Sequence, residues 1–489
     1  MKRIIVRRSK LGNVSVLRMP AEQNSKRRIG LLALVFAICG WPALAAIAGD
    51  NSPLVNFDNP VPQASAEFGN TVAPVGSNQV VIGAWKAHGG AGAAYLFRTD
   101  GTLVCSMTNP SPPSATIPQF NTVNFGMAVA GLGADRVIVG APNQNVRTNA
   151  DGAAYLFAAD GTVLTILTNP APVNQSQFGR CVAAAGGDKI LVSAPLATAA
   201  GVIWSGAVYL FSTNGTLLHT FNRPGSFGFG MALDTLDAER VIIGIGGTNG
   251  ISSEGAAQLF HLNGSTLATL ANPAAPGASF DRFGWSVAGS GGDKILIGAV
   301  RRAGSIGQSY LFDTNALLLT TFTNPTPNAN DAFGRTLTAV GPDKVAVAAH
   351  LDDTGSSDGG VVHIFNLQGE LLETILNPAP RGQDNFGYGL AAVGSDQIVA
   401  GAICRSGAAG TAHLFRVGPA VPPLSVTCLP GGDMCVSWPA PAAGFVLEAT
   451  ETIASSANWG QVPYPYQTNN GRISIVAGPS VRQFYRLRK

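Results

Sequence analysis

The stretch Phe125-Gly126-Met127-Ala128-Val129-Ala130-Gly131-Leu132, followed by Val137-Ile138-Val139-Gly140-Ala141-Pro142 and then Gly152-Ala153-Ala154-Tyr155-Leu156-Phe157, decides the reading of the whole chain. Its three parts recur in the same order seven times. A Phe-Gly pair stands at Phe68, Phe125, Phe178, Phe229, Phe283, Phe333 and Phe386, at intervals of 57, 53, 51, 54, 50 and 53 residues. Each pair is followed by an aliphatic run (VVIGAW, VIVGAP, ILVSAP, VIIGIG, ILIGAV, VAVAAH, IVAGAI) and later by a Gly-led segment of the YLF type, at Gly92, Gly152, Gly206, Gly255, Gly307, Gly360 and Gly410. A period near 50 residues is the mark of a propeller or array.

Each unit reads as four strands. Strand A follows Phe-Gly and is rich in Ala and Gly, as a crowded innermost strand near an axis should be. A tight turn such as Gly187-Asp188-Lys189 leads to strand B, and strand C is the YLF segment. Asp100-Gly101, Asp160-Gly161, Asn214-Gly215 or Asn263-Gly264 then opens strand D. These pairs suit a two-residue type I′ hairpin with positive φ at both central positions. Strand D ends where Asn109, Asn169, Asn272, Asn324 and Asn377 each precede a proline, which suits an outer edge. The seventh unit lacks strand D, whereas Leu54-Val55-Asn56-Phe57-Asp58-Asn59-Pro60 is an orphan strand D before the first unit. The reading is therefore all-β: a seven-bladed β-propeller of four-stranded blades, closed by the N-terminal strand, over residues 46–417.

Composition agrees. Of 489 residues, 60 are Gly and 31 Pro, and only 12% are charged, which favours short strands and turns over long helices. The formal charge of +3 belongs largely to a leader. Residues 1–45 read as a signal peptide: Lys26-Arg27-Arg28, an apolar run over 29–41, and Ala43-Leu44-Ala45 as the cleavage pattern. The run is too short for a comfortable span, and no other is long enough. Removing nine basic residues and one acidic residue leaves 22 against 27, a net −5. Export to a secreted or extracytoplasmic place follows, with no membrane span after cleavage and no nucleic-acid partner.

Phe125-Gly126 with Gly140-Ala141-Pro142 resembles the FG-GAP repeats of integrin α-subunit propellers and their bacterial relatives, and the resemblance covers roughly residues 54–416. It implies a seven-bladed propeller, typically extracellular, used in adhesion or ligand binding. Integrin-type blades carry a calcium loop of spaced carboxylates between strands A and B. Here the junction is a short turn with one acid, Asp135, Asp188, Glu239, Asp293, Asp343 or Asp396, and Asn78 in the first unit. One carboxylate cannot supply six oxygens, so such an Asp reads as bonding its own turn, and no metal or other cofactor is expected.

Residues 418–489 break the repeat and read as short alternating strands of a fibronectin III- or immunoglobulin-like module with Trp438 in its core. Cys428 and Cys435 flank Pro430-Gly431-Gly432-Asp433 symmetrically, which leaves a disulfide across that hairpin open in an exported chain.

Catalytic motifs are missing: the six His lie apart, and there is no HExxH, no G-x-S-x-G and no P-loop. Strand alternation puts the tight A–B and C–D turns on one face and the varied B–C and D–A loops on the other, where binding residues concentrate. The side chains singled out there are Trp85, Lys86, His88, Arg147, Trp204, Arg301, Arg302, His350, Asp352 and Arg405. The expected function is a secreted, non-catalytic binding or adhesion protein for a protein or carbohydrate ligand. The alternatives are a carbohydrate-active enzyme using the propeller channel and a purely structural envelope protein.

Overall fold

The computed structural model describes residues 52–111, 122–199, 201–223, 225–245, 255–273, 281–405 and 407–418. In the C-terminal part it describes 424–429, 434–439, 445–450, 460–462, 466–469, 471–477 and 484–488, and near the N-terminus the paired strands Ile4–Arg8 and Val14–Arg18. The apolar run over 29–41, its cleavage pattern and the loop over 246–254 lie outside the described residues.

Seven four-stranded antiparallel sheets follow one another along the chain. In the second, strand A is Ala128–Leu132, B is Arg136–Ala141, C is Ala153–Ala158 and D is Val163–Thr168. The other sheets are built over 68–108, 182–221, 229–271, 283–323 and 337–376. The seventh joins Leu390–Val393, Gln397–Ala402 and Thr411–Arg416 to Val55–Asp58, with Val55 opposite Leu414 and Asp58 opposite Thr411. Helix is confined, among the described residues, to the single turns Ala87–Gly90 and Arg302–Ser305, and no helix is long and apolar enough to cross a membrane.

Burial explains the sequence pattern. Strands B and C are covered on both faces by neighbouring sheets, so they read as continuous apolar runs, while strand D is largely exposed and buries one residue near its end, Leu167 in the second sheet. Seven apolar clusters each draw on two sheets: Phe125 and Tyr155 of the second meet Val75 and Val81 of the first, for example. One cluster combines Phe68 and Tyr95 of the first sheet with Val399 and Leu414 of the seventh. Each fully buried side chain of this size contributes roughly 1.5–3 kcal/mol of apolar burial.

The Phe-Gly pair holds this arrangement in two directions. The Phe125 ring rests 5.6 Å from Tyr155 and 5.9 Å from Phe157, and Phe178 and Phe283 repeat that geometry in their own sheets. The backbone reaches the preceding sheet instead, where Phe178 bridges Gly152. Gly152 has φ +85, and a Cβ there would stand 2.0 Å from the Phe178 carbonyl oxygen. This close approach is why every YLF segment opens with glycine.

The C–D turns differ from expectation. Only the glycine is left-handed: Gly101 has φ 92, whereas Asp100 stays at negative φ, as do Asp160, Asn214 and Asn263. The Gly101 N–H donates to the Arg98 carbonyl and the Arg98 N–H to the Thr102 carbonyl, giving a three-residue loop with a type I turn and a glycine bulge. The Asp100 carboxylate accepts from the Thr102 N–H at 2.9 Å, a local bond that holds Asp in the right-handed region. In the A–B turns Asp237 accepts from the Glu239 and Arg240 N–H groups, while Asp188, Asp293 and Asp343 pair with the next lysine.

The C-terminal part forms a four-stranded sheet (Ser425–Cys428, Met434–Pro439, Arg472–Ala477, Gln467–Asn469) and a three-stranded one (Gly460–Gln461, Val446–Thr450, Phe484–Arg488). Trp438 is buried with Leu424, Val436, Leu447 and Tyr485. The Cys428–Cys435 bond that the sequence leaves open is not formed: Cys435 is a free thiol. Register is the reason. Cys435 stands opposite Thr427 and Cys428 opposite Met434, so the two positions fall on opposite faces of the sheet.

Candidate functional site

A shared backbone device sets the varied-loop face. Two residues beyond strand B, the N–H donates to the carbonyl two residues before Phe-Gly: Lys86 to Ala66, Arg301 to Asp281, Leu351 to Asp331, Cys404 to Asp384. The residue just before Phe-Gly is held in the left-handed region, at φ 52 for Glu67, 55 for Arg282, 54 for Ala332 and 51 for Asn385. Each sheet thus brings the start of its B–C loop beside its own Phe-Gly entrance.

In the fifth to seventh sheets this device assembles a cavity of about 340 Å³, lined chiefly by Arg282, Arg301, Arg335, His350, Tyr388 and Arg405. No carboxylate is among its lining residues. The guanidinium of Arg282 lies 4.6 Å from the centre of the Trp285 ring, and that of Arg335 5.6 Å from it. Arg335 and Arg405 stand 4.6 and 5.5 Å from the centre of the Tyr388 ring, and Arg335 Nη2 donates to the Tyr388 hydroxyl at 2.7 Å. Aromatic faces attract these cations without neutralising them. Among the described residues no ion pair involves Arg282, Arg301, Arg335 or Arg405.

The excess charge shifts the ionisable groups around it. Burial, then the charges of Arg301 and Arg335, lower the pKa of Arg282. His350 is held well below its ordinary value by burial and by Arg335 and Arg405, so it is neutral. Its Nδ1 is buried without a hydrogen-bond partner. Burial pushes the Tyr388 phenol up, but Arg335, Arg405 and the more distant Arg180 together hold it below its ordinary value.

Arg301, His350 and Arg405 were singled out from the sequence, and the structure brings them together. Arg302 opens the helical turn Arg302–Ser305, and its side chain lies outside the described residues. Trp85 and Lys86 belong to the first sheet, where both hold the buried Glu67: Trp85 Nε1 donates to Oε2 at 2.8 Å, and Lys86 pairs with Oε1. His88 sits in that loop at φ 52, its backbone N–H bonded to Gln63. Arg147 turns to its own sheet, donating to Thr168 Oγ1 and the Asn169 carbonyl. Trp204 is 41% exposed and rests on Phe227 at 5.9 Å. Asp352 is fully buried and accepts from Thr326 Oγ1 and the Thr354 N–H, which fixes the loop.

Sequence reasoning missed Arg282, Trp285, Arg335 and Tyr388. Their signal lay beside the repeat rather than in it. The residue after each Phe-Gly is Asn70, Met127, Arg180, Met231, Trp285, Arg335 or Tyr388, a variable position inside an otherwise regular unit.

No curated protein matches this chain. A family model for the FG-GAP repeat matches residues 274–312, the span that holds Phe283-Gly284 and strands A to C of the fifth sheet. The chain carries an FG-GAP repeat, and the matched copy is the one that supplies Arg282 and Arg301 to the cavity, with Trp285 against the Arg282 guanidinium.

Proposed function

We propose that this chain is an exported, non-catalytic binding or adhesion protein whose seven sheets form a closed β-propeller followed by a fibronectin III- or immunoglobulin-like module. The apolar cluster shared by the first and seventh sheets supports closure, and the two facing sheets around Trp438 support the module. FG-GAP repeats are typical of extracellular domains, which supports export. The observation that carries the binding reading is the cavity itself. It converges four guanidinium groups and a neutral His and offers no carboxylate. General acid–base chemistry on a glycoside needs a pair of carboxyl groups. Charged donors gathered around an open concavity serve recognition.

The full-length protein applied to an array of glycans and surface proteins should retain at least one ligand. Alanine at Arg335 or Arg405 should reduce that retention more than alanine at Trp85, which the structure ties to Glu67. Retention of nothing across the array would remove the reading.

A further inference from the structure

We infer that the cavity between the fifth, sixth and seventh sheets binds the acid group of an acidic polysaccharide, a carboxylate or sulfate carried on a polyhydroxylated ring. This rests on the reading of the chain as a binding protein and gives that reading a ligand class. The charge argument comes first. Four guanidinium groups, from Arg282, Arg301, Arg335 and Arg405, face one space with no carboxylate to neutralise them. Like charges held together destabilise a fold unless something of opposite sign completes the site, and an oxyanion bound by two or more of them supplies that.

Two orphaned atoms point the same way. Arg335 Nε and His350 Nδ1 are both buried and without a hydrogen-bond partner, and His350 is only 6% exposed. Buried polar atoms are ordinarily satisfied, so an unsatisfied pair at a cavity wall marks where a ligand's oxygens belong. The neutral lining decides between ligand types. His350, Asn330 and Ser305 offer uncharged donors and acceptors beside the cationic cluster. An acidic side chain of a protein ligand would engage the guanidinium groups and leave these three unused. A sugar acid brings hydroxyls for them. The concavity, at about 340 Å³, falls within the range of small-molecule sites and suits one residue of a longer chain. A nucleic acid calls for an extended basic track, and this basic cluster is local.

The test titrates the full-length protein with polygalacturonate, dextran sulfate, neutral dextran and poly-glutamate. The expected result is saturable binding of one or both acidic glycans, weakened by added salt, with neutral dextran inert and poly-glutamate markedly weaker. The carboxylated and sulfated arms identify which acid group fits. Arg335→Gln and Arg405→Gln should each weaken binding about tenfold or more, while Arg147→Gln on the same face should leave it unchanged. Thermal unfolding of each variant confirms a folded comparison. Poly-glutamate binding as tightly as the glycans, glycan binding indifferent to both variants, or no polyanion binding at all would each overturn the inference. If an array ligand is retained regardless of Arg335 and Arg405, the binding reading stands and this site assignment fails.

Discussion

In the first sheet, Glu67 precedes Phe-Gly and Lys86 lies two residues beyond strand B; in the fifth, Arg282 and Arg301 hold the same two places. The backbone is the same in both: left-handed at Glu67 and Arg282, with Lys86 and Arg301 donating to carbonyls two residues before Phe-Gly. In one sheet the charges cancel in an ion pair that Trp85 also supports. In the other they repel, and Arg335 of the next sheet adds to the repulsion. The difference separates what the repeat needs for packing from what it leaves free. Cancelled charge serves the scaffold, and uncancelled charge at an equivalent position is what the proposed ligand would complete.

If the scaffold is common to both sheets, breaking it should cost the same in each. Gly307→Ala would place a Cβ 2.0 Å from the Phe333 carbonyl oxygen at φ +90, and Gly92→Ala does the same against Phe125. Each should lower stability in chemical denaturation by about 3 kcal/mol or more. A large loss for one and almost none for the other would break the comparison at its base.

Acid should sharpen it next. His350 lies beside Arg335 and Arg405 with its pKa held well below the usual 6.5 by burial and those charges, so the unfolded chain takes up the proton first. Its contribution to stability is present above pH 6.5 and is lost as pH falls below it, with a slope of up to about 1.4 kcal/mol per pH unit. His363 and His413, both lowered to about 4 by burial, add the same sign of dependence over pH 6.5 to 4. Melting temperature followed from pH 7 to 5 should fall less for His350→Gln than for the parent protein. An unchanged slope would mean that burial and the basic cluster do not hold His350 below its ordinary value.

The smallest effects carry opposite signs, which makes them the sharpest. Glu67→Gln strands Lys86 and should destabilise by about 1 kcal/mol. Arg282→Gln relieves repulsion at a partly exposed group and should stabilise by a few tenths of a kcal/mol after solvent screening. Urea midpoints measure both. The same sign for the two variants would erase the contrast between the sheets.

The repeat was legible because packing demands it at every copy. Phe125 and Phe283 meet equivalent rings at 5.6 and 5.7 Å, so their spacing survives in the sequence. The Asp-Gly and Asn-Gly turns were located correctly, but their type was not, because a local bond from Asp100 to the Thr102 N–H outweighs the hairpin preference. The cavity was only half legible. Arg301, His350 and Arg405 drew notice as unusual residues on varied loops. Arg282, Arg335 and Tyr388 stand immediately beside Phe-Gly, where the eye reads scaffold. Net charge misled as well, since the value of +3 for the whole chain and the value of −5 without residues 1–45 both average away a local concentration of arginine. Trp85 and Lys86 are the converse, conspicuous in sequence and spent on Glu67.

The strand Val55–Asp58 also sets an order of events. His413 Nδ1 meets Asn56 Oδ1 across 357 residues of chain. During synthesis that strand emerges long before Thr411–Leu414, its only strand partner among the described residues. At about 5–20 residues per second the wait lasts on the order of tens of seconds, whereas strands A to D of the second sheet lie within a few dozen residues of one another. The seventh sheet is therefore the last of the seven to be completed, and the chain carries one early strand unmatched until Thr411–Leu414 arrives.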